Sequence, residues 1–419
     1  MKRSPNILND TPDNLRAQLK RQMDQQGRAM NSYFYRSPLV YELELHNLVF
    51  KSWIYAAHIT ELPNPGDFVL LEVGEESLII VRDRNNEIHA LINICRHRGA
   101  RVCEKLKGHS KTFVCPYHGW TYSLDGTLRS ARHMEMRKDF NRADFPLKRA
   151  KVLVHMGLIF VNLDEQAADL SGPLSKIDVQ LGAYDLKNAK VAHKQIYKVD
   201  ANWKYCLENY LECYHCKTAH PHYARIHTLA DLDEDAKDFD AAMRARASVE
   251  TGVAGIEKEY RKIYSAAEAF GACVQATRYG LYDGYLTGSE DGQAVGPLMG
   301  KMKGYDGGAS DFQFGPLTFM LSYPDHCVLY RFIPRGQNKT DMEVVWFVNG
   351  DAVEGENYEI NRLTWLWDQT TLEDKYIISR NSEGASSDFF EPGPLHPEFE
   401  QTLMMFIDWY LDVMQSVIK

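Results

Sequence analysis

The sequence predicts an α+β fold in two parts: a small antiparallel β domain, then a larger domain in which an antiparallel sheet is flanked by helices. Three observations lead there. Between about residues 53 and 161, short Val/Ile/Leu/Phe runs are separated by Gly, Asn, Asp and Pro, the texture of strands joined by turns. Beyond about residue 167, helix-length stretches mix with strand-like runs. The chain has 419 residues, enough for two hydrophobic cores.

The elements follow in order. Pro12-Asp13-Asn14-Leu15 opens a polar helix expected over 12–30, with proline in the first turn. Residues 68–73, 77–81, 88–92 and 157–161 read as strands. A helix is expected over 203–218, and the Glu/Ala/Lys/Arg-rich stretch 232–262 reads as another. Strands are expected at 318–322, 327–333 and 342–348, a helix around 365–374, and a terminal helix over 398–418. These elements divide into an N-terminal helical segment (1–45) packing on the larger domain, the β domain (46–163) and the larger domain (164–419).

Composition excludes several classes. A hydrophobic share of 44% with 25% charged residues is globular rather than disordered. The net charge of −9 argues against a nucleic-acid partner. No apolar run approaches the roughly 20 residues of a membrane helix, and residues 1–36 hold no apolar signal core. The eight cysteines are too few and too clustered for a disulfide scaffold, which predicts a reducing, cytoplasmic setting.

Two cysteine–histidine pairs carry the chemistry. They are Cys95-Arg96-His97 and Cys115-Pro116-Tyr117-His118, with residues 98–114 between them. Two thiolates and two imidazoles can hold a [2Fe–2S] cluster with both histidines on one iron, a Rieske centre. A zinc site would pair cysteine with cysteine and histidine with histidine. Cys103 does not fit the ligand spacing and reads as a small packed hydrophobe. Arg96, Arg98, Arg101, Lys105, Lys107 and Lys111 surround a single Glu104 in this region. They form either a solvated loop or a docking patch for an acidic electron donor.

A second metal site is written around residues 202–221. His215 and His220 are five apart, so on an unbroken helix they point about 140° apart. They converge only if the helix ends or bulges between them, and Pro221 favours that. Two histidines and a carboxylate form the facial triad of non-haem Fe(II) oxygenases. Glu212, three residues before His215, can bond its free ring nitrogen, and Asn209 sits one turn further back. Cys213 and Cys216 lack a thioredoxin-like context and read as packing or pocket lining, while His222 and His227 are decoys at similar spacing. The carboxylate must come from far along the chain, and the residues alone leave Asp368 and Asp374 both open.

Together these residues resemble the α subunits of Rieske non-haem iron ring-hydroxylating oxygenases. Cys95-x-His97 with Cys115-x2-His118 matches the cluster motif, and Glu208-Asn209-Tyr210-x-Glu212-x-Tyr214-His215-x4-His220 matches the iron motif. The family's third ligand lies in a Glu/Gln-Asp step on a late helix, which selects Asp374 in Glu373-Asp374. Glutamate at position 212, where aromatic-ring dioxygenases carry aspartate, is similar to the quaternary-ammonium branch. So are Glu391-Pro392-Gly393-Pro394 and Phe406-Ile407-Asp408-Trp409-Tyr410, which resemble the glycine betaine and stachydrine demethylases.

The resemblance implies a Rieske [2Fe–2S] domain, a helix-grip-like catalytic domain and a mononuclear Fe(II) at His215, His220 and Asp374. It implies a homotrimer in which Glu212 bridges one subunit's His118 to its neighbour's His215. Electrons would come from NAD(P)H through a separate flavin and [2Fe–2S] reductase; no Gly-x-Gly-x-x-Gly unit is present to bind a nucleotide here. The expected reaction is monooxygenation of an N-methyl group of a glycine betaine-like compound with release of formaldehyde. The alternatives are an aromatic-ring hydroxylating (di)oxygenase acting on an aromatic carboxylate, and a non-catalytic electron carrier. Tyr305, Phe312, Phe314, Phe319, Tyr323 and Tyr330 crowd the stretch expected to build the pocket, where rings can cage a quaternary ammonium. Arg331 or His326 could pair with a substrate carboxylate.

Overall fold

The computed structural model describes residues 8–250 and 274–418. Thr11 accepts a hydrogen bond from the Asn14 backbone N–H and caps α1 (Pro12–Met23). The helix ends at Met23 rather than near residue 30, because the chain turns through Gly27 at φ +70°, a conformation glycine adopts without strain. Two short helices follow, α2 (Tyr33–Arg36) and α3 (Pro38–Glu44).

The β domain contains β1 (Ile54–His58), β2 (Asp67–Val73), β3 (Glu76–Arg82), β4 (Ile88–Ile92), β5 (Lys107–His109), β6 (Phe113–Val114), β7 (Thr121–Tyr122), β8 (Leu128–Ser130), β9 (Arg149–His155) and β10 (Leu158–Asn162). They form a seven-stranded sheet in the order β1-β10-β9-β4-β3-β2-β5 and a three-stranded sheet β6-β7-β8. The four strands expected from sequence are present. Of those not expected, β1 is buried on both faces and β9 is largely part-exposed, so neither shows the period-2 alternation that marks a half-buried strand.

After α4 (Ser171–Ser175) and α5 (Asp178–Gly182), the larger domain begins with the long strand β11 (Ala189–Val199). Next come α6 (Trp203–Tyr210), α7 (Cys216–Ala219), α8 (Pro221–Ala224) and α9 (Glu234–Glu250). The remaining strands are β12 (Val274–Gly280), β13 (Gly308–Phe314), β14 (Thr318–Ser322), β15 (His326–Gly336) and β16 (Lys339–Asn349). The sheet is antiparallel, in the order β11-β16-β15-β14-β13-β12. The 26-residue α10 (Ile360–Ala385) packs on β11, α6, α7 and α8, and α11 (Gln401–Val417) packs on α1 and α3. The helix expected over 232–262 is α9 as far as Glu250; residues 251–262 lie outside the described residues.

Two corrections concern the site helix. The single helix expected over 203–218 stops at Tyr210, and the chain turns before a new helix begins at Cys216. Cys213 and Cys216 form a disulfide across this turn rather than packing as separate thiols. The root of α6 is fixed by a buried ion pair. Lys204 Nζ lies 2.7 Å from Glu44 Oε1, and both side chains are fully buried. Trp203 Nε1 donates to Glu44 at 2.9 Å, and the Tyr410 hydroxyl donates to the same carboxylate. A buried pair survives only when such bonds satisfy both charges, and this one joins α3, α6 and α11.

Candidate metal centres and active site

The two cysteine–histidine loops are built alike. Cys95 N–H donates to Ala100 O at 2.8 Å, and Gly99 N–H to Cys95 O at 3.0 Å. In the second loop Cys115 N–H donates to Trp120 O at 2.8 Å, and Gly119 N–H to Cys115 O at 3.0 Å. Gly99 and Gly119 have φ of +81° and +72°, which explains glycine four residues after each cysteine. Both cysteines are buried, whereas His97 and His118 are exposed at the tip. Their Nδ1 atoms lie 3.1 Å apart, and His97 stacks on Trp120. The Tyr122 hydroxyl is 3.2 Å from Cys95 Sγ. Two enclosed sulfurs and two solvent-side nitrogens, converging from matched loops, fit a [2Fe–2S] cluster with its histidine-bound iron outward.

The second donor set lies where α6 breaks. Oxygen and nitrogen atoms of His215, His220 and Asp374 all lie within 4.8 Å of one another. Asp374 Oδ1 is 2.9 Å from His220 Nε2 and 3.5 Å from His215 Nε2. His220 leaves helical geometry at the end of α7, directly before Pro221, and the two imidazole rings converge to 5.0 Å. Glu212 sits outside any helix, where it accepts from the Tyr214 and His215 backbone N–H groups and lies 2.5 Å from His215 Nδ1. The predicted partner is therefore reached, through the turn rather than along a helix face. Asn209 Nδ2 is 3.3 Å from His215 Nε2.

Asp368, the other carboxylate considered, bonds the Tyr197 hydroxyl instead. Sequence reasoning assigned no role to Glu373, yet its Oε2 lies 2.8 Å from His220 Nδ1. Each imidazole thus has Asp374 on its Nε2 side and its own glutamate on Nδ1. The Glu-Asp dipeptide was the signal for this second contact.

Electrostatics favour a cation here. Burial disfavours charge on His215, but Asp374 and Glu212 outweigh it and push its pKa up to about 9. Burial opposes ionisation of Asp374 too, but both histidines hold it below the usual carboxylate range. Two nitrogens and a carboxylate that together attract positive charge suit a divalent metal, which binds as the imidazole protons leave. The decoys stay apart from this group. His222 packs edge-on against Trp365, and His227 accepts at Nε2 from the Tyr323 hydroxyl.

A cavity of about 970 Å³ opens beside these residues. Tyr210, Tyr223, Tyr279, Phe319 and Trp367 line it, with Asp311, Gln313, Gln275 and Thr277. Phe319 is where sequence placed it. Phe312 and Phe314 are not: they project to the opposite face of the sheet, into a separate core with Met320 and Phe347. Tyr305 is not a lining residue; burial first, and then the Asp325 charge, push its pKa up. Tyr323 and Tyr330 are buried behind the wall, near Trp367. His326 pairs with Asp325, and Arg331 pairs with Glu343 and the Tyr55 carbonyl, so neither is offered to a ligand.

Comparison with known proteins adds independent support. Residues 186–416 match the family described as ring hydroxylating alpha subunit (catalytic domain), and residues 52–141 match the Rieske [2Fe-2S] domain. The chain is 34% identical over 382 residues to the glycine betaine monooxygenase oxygenase subunit of Pseudomonas aeruginosa, covering 91% of this chain and 88% of that one. It is 35% identical over 193 residues to the carnitine monooxygenase oxygenase subunit of Acinetobacter pittii, covering 46% and 52% of the two chains. The fold is shared with a solved quaternary ammonium Rieske monooxygenase described for carnitine oxidation by gut microbiota. That match has a TM-score of 0.72 at 21% identity and covers 93% of this chain and 96% of the other. The chain belongs to the ring-hydroxylating oxygenase α subunits, with a Rieske [2Fe–2S] domain preceding a catalytic domain that binds mononuclear iron.

Proposed function

We propose that this protein is the oxygenase component of a two-component monooxygenase that removes an N-methyl group from a quaternary ammonium compound, glycine betaine-like in class. The convergence of His215, His220 and Asp374 at the mouth of an aromatic-walled cavity carries this reading. The named activity of the Pseudomonas aeruginosa relative supports the substrate class.

In this reading Cys95, His97, Cys115 and His118 hold the cluster, and His215, His220 and Asp374 hold the iron. Together the bound groups supply electrons and activation of O2. The chain's own residues do the rest. Glu212 and Glu373 each accept the Nδ1 proton of a ligand histidine, so that both Nε2 atoms face the metal. Tyr210, Tyr223, Phe319 and Trp367 hold the methyl group in a largely apolar space, limiting access of water to the reaction. One oxygen atom of O2 enters a C–H bond of the methyl group. The other leaves as water with two electrons and two protons. The N-hydroxymethyl product then releases formaldehyde, a proton and the demethylated amine.

The electrons are assigned to a separate flavin and [2Fe–2S] reductase. Lys105, Lys107 and Lys111 are exposed beside the cluster loops and suit an acidic donor. The outward-facing His118 and the part-buried Glu212 suit a homotrimer in which Glu212 links the cluster of one subunit to the iron of the next. The domain limits 46–163 and 164–419, and a cytoplasmic location, belong to the same reading; no described helix is long and apolar enough to cross a membrane. The test is product analysis. Reduced protein is given one pulse of O2 with methylated amines or aromatic carboxylates. Formaldehyde from an amine supports the reading; a diol or phenol from an aromatic acid with no formaldehyde from any amine replaces it.

A further inference from the structure

Asp231, Asp240, Asp311 and Glu398 line the cavity outside the iron site, and among these described residues only Asp311 has an enclosed oxygen without a partner. β12 and β13 pair Thr277 with Asp311 and Gln275 with Gln313, and successive residues of a strand point to opposite faces. Asp311 therefore shares the cavity face with Thr277 and Gln313, while Arg278, which also reaches the cavity lining, pairs with Asp306. Asp311 Oδ1 is enclosed and has no hydrogen-bond partner, and no charged group among the described residues pairs with the carboxylate.

The other cavity groups differ from it. Asp374 and Glu212 face the histidines, Asp231 pairs with Lys217, Lys237 pairs with Glu234, Asp240 accepts from the Gly280 backbone N–H, and Glu398 is exposed to solvent. Three phenols that line the same cavity lie within electrostatic reach of Asp311. Tyr210, Tyr223 and Tyr279 are pushed up by burial first, and the Asp311 charge adds to each. Tyr223 also feels Asp374, so its ring lies within electrostatic reach of both carboxylates.

Leaving a carboxylate oxygen enclosed without a partner opposes folding. Its position on the substrate face calls for a ligand that offsets this cost. A quaternary nitrogen carries no N–H and cannot use a hydrogen-bond acceptor; it needs opposite charge and ring faces. Asp311 in a cavity lined by Tyr210, Tyr223 and Tyr279 offers that combination.

We infer that Asp311 is the counter-ion of the substrate's ammonium group and sets the preference of the cavity for a cation over a neutral molecule of the same shape. This rests on the reading of the substrate as an N-methylated ammonium.

The experiment is anaerobic calorimetric titration of the holoprotein with two matched pairs: choline against 3,3-dimethylbutan-1-ol, and glycine betaine against 3,3-dimethylbutyrate. At least one ammonium compound should bind about tenfold or more tighter than its carbon isostere. Asp311→Asn should remove most of that ratio while leaving isostere affinity unchanged. Asp311→Ser gives the same comparison if the asparagine variant is insoluble, and Fe(II) content equal to wild type checks that the catalytic domain of either variant is folded. An unchanged ratio in the variants, or isosteres that match both ammonium compounds in wild type, overturns the role of Asp311 alone. Failure of both ammonium compounds to bind wild type overturns the ammonium reading and this inference with it.

Discussion

Replacing Glu373 with glutamine separates iron retention from every other feature of the site. The Glu373 carboxylate is 2.8 Å from His220 Nδ1, and Asp374 is 2.9 Å from Nε2 of the same ring. The first contact fixes which nitrogen carries the proton; the second leaves Nε2 for the metal. Glutamine keeps the size but removes the charge, and its amide can present N–H to Nδ1, favouring the wrong tautomer. Losing such a contact weakens metal binding by roughly 10–100-fold.

The Glu373 side chain is 30% exposed whereas His220 is 2% exposed, so solvent screens part of the charge. The expected loss is therefore at the lower end, about tenfold or about 1.4 kcal/mol. Competition of a fluorescent Fe(II) chelator with wild type and E373Q measures it directly. The cluster spectrum should not change, because the Glu373 carboxylate bonds His220 and none of Cys95, His97, Cys115 and His118. Equal Fe(II) affinity in the two proteins would show that Glu373 does not set the state of His220.

Other perturbations have defined outcomes. Tyr122→Phe removes the hydroxyl 3.2 Å from Cys95 Sγ; voltammetry should find a lower cluster potential, since hydrogen bonds to sulfur favour the reduced form. Lys204→Met leaves the fully buried Glu44 without its cation and should cost about 3–5 kcal/mol in urea unfolding, with K204M/E44L recovering much of the loss. His58 is buried against the Leu186 carbonyl, and burial lowers its pKa from 6.5 to about 4. Between those pH values the unfolded chain binds a proton that the folded chain does not, so stability is complete above pH 6.5 and falls towards pH 4. The loss should reach about 3 kcal/mol, and the urea midpoint of His58→Asn should vary less over this interval.

The cluster loops were legible because all four donors and both glycines lie within one short stretch, 95–119. His215 and His220 were legible for a related reason: their five-residue spacing works only if the helix breaks, and Pro221 permits the break. The turn itself, with Glu212 bonding backbone N–H groups and the Cys213–Cys216 disulfide across it, was not legible. A Glu three residues before a His looks the same in sequence whether the chain between them is helix or turn. The disulfide is not legible because whole-chain cysteine usage says nothing about two cysteines held together by one local turn.

The pocket shows a different limit. Aromatic residues of β13 and β14 were gathered by proximity in sequence, but a strand sends neighbours to opposite faces, and a one-residue slip exchanges wall for core. Phe319 lies on the cavity face opposite Gln313, whereas Phe312 pairs with Met320 on the other. Once that register is known, the alternation turns from a source of error into an argument. The face that loses Phe312 and Phe314 gains Asp311 and Gln313, so the wall is not a uniform ring cage but an aromatic surface with a charged edge. β12 completes that edge with Gln275 and Thr277, and it escaped sequence reading because its VQATRYG run has no apolar alternation on the cavity side. A wall chosen only to bury methyl groups would not place its polar alternation inward. The inward placement of Gln275, Thr277, Asp311 and Gln313 favours a small, charged ligand over a flat hydrocarbon ring.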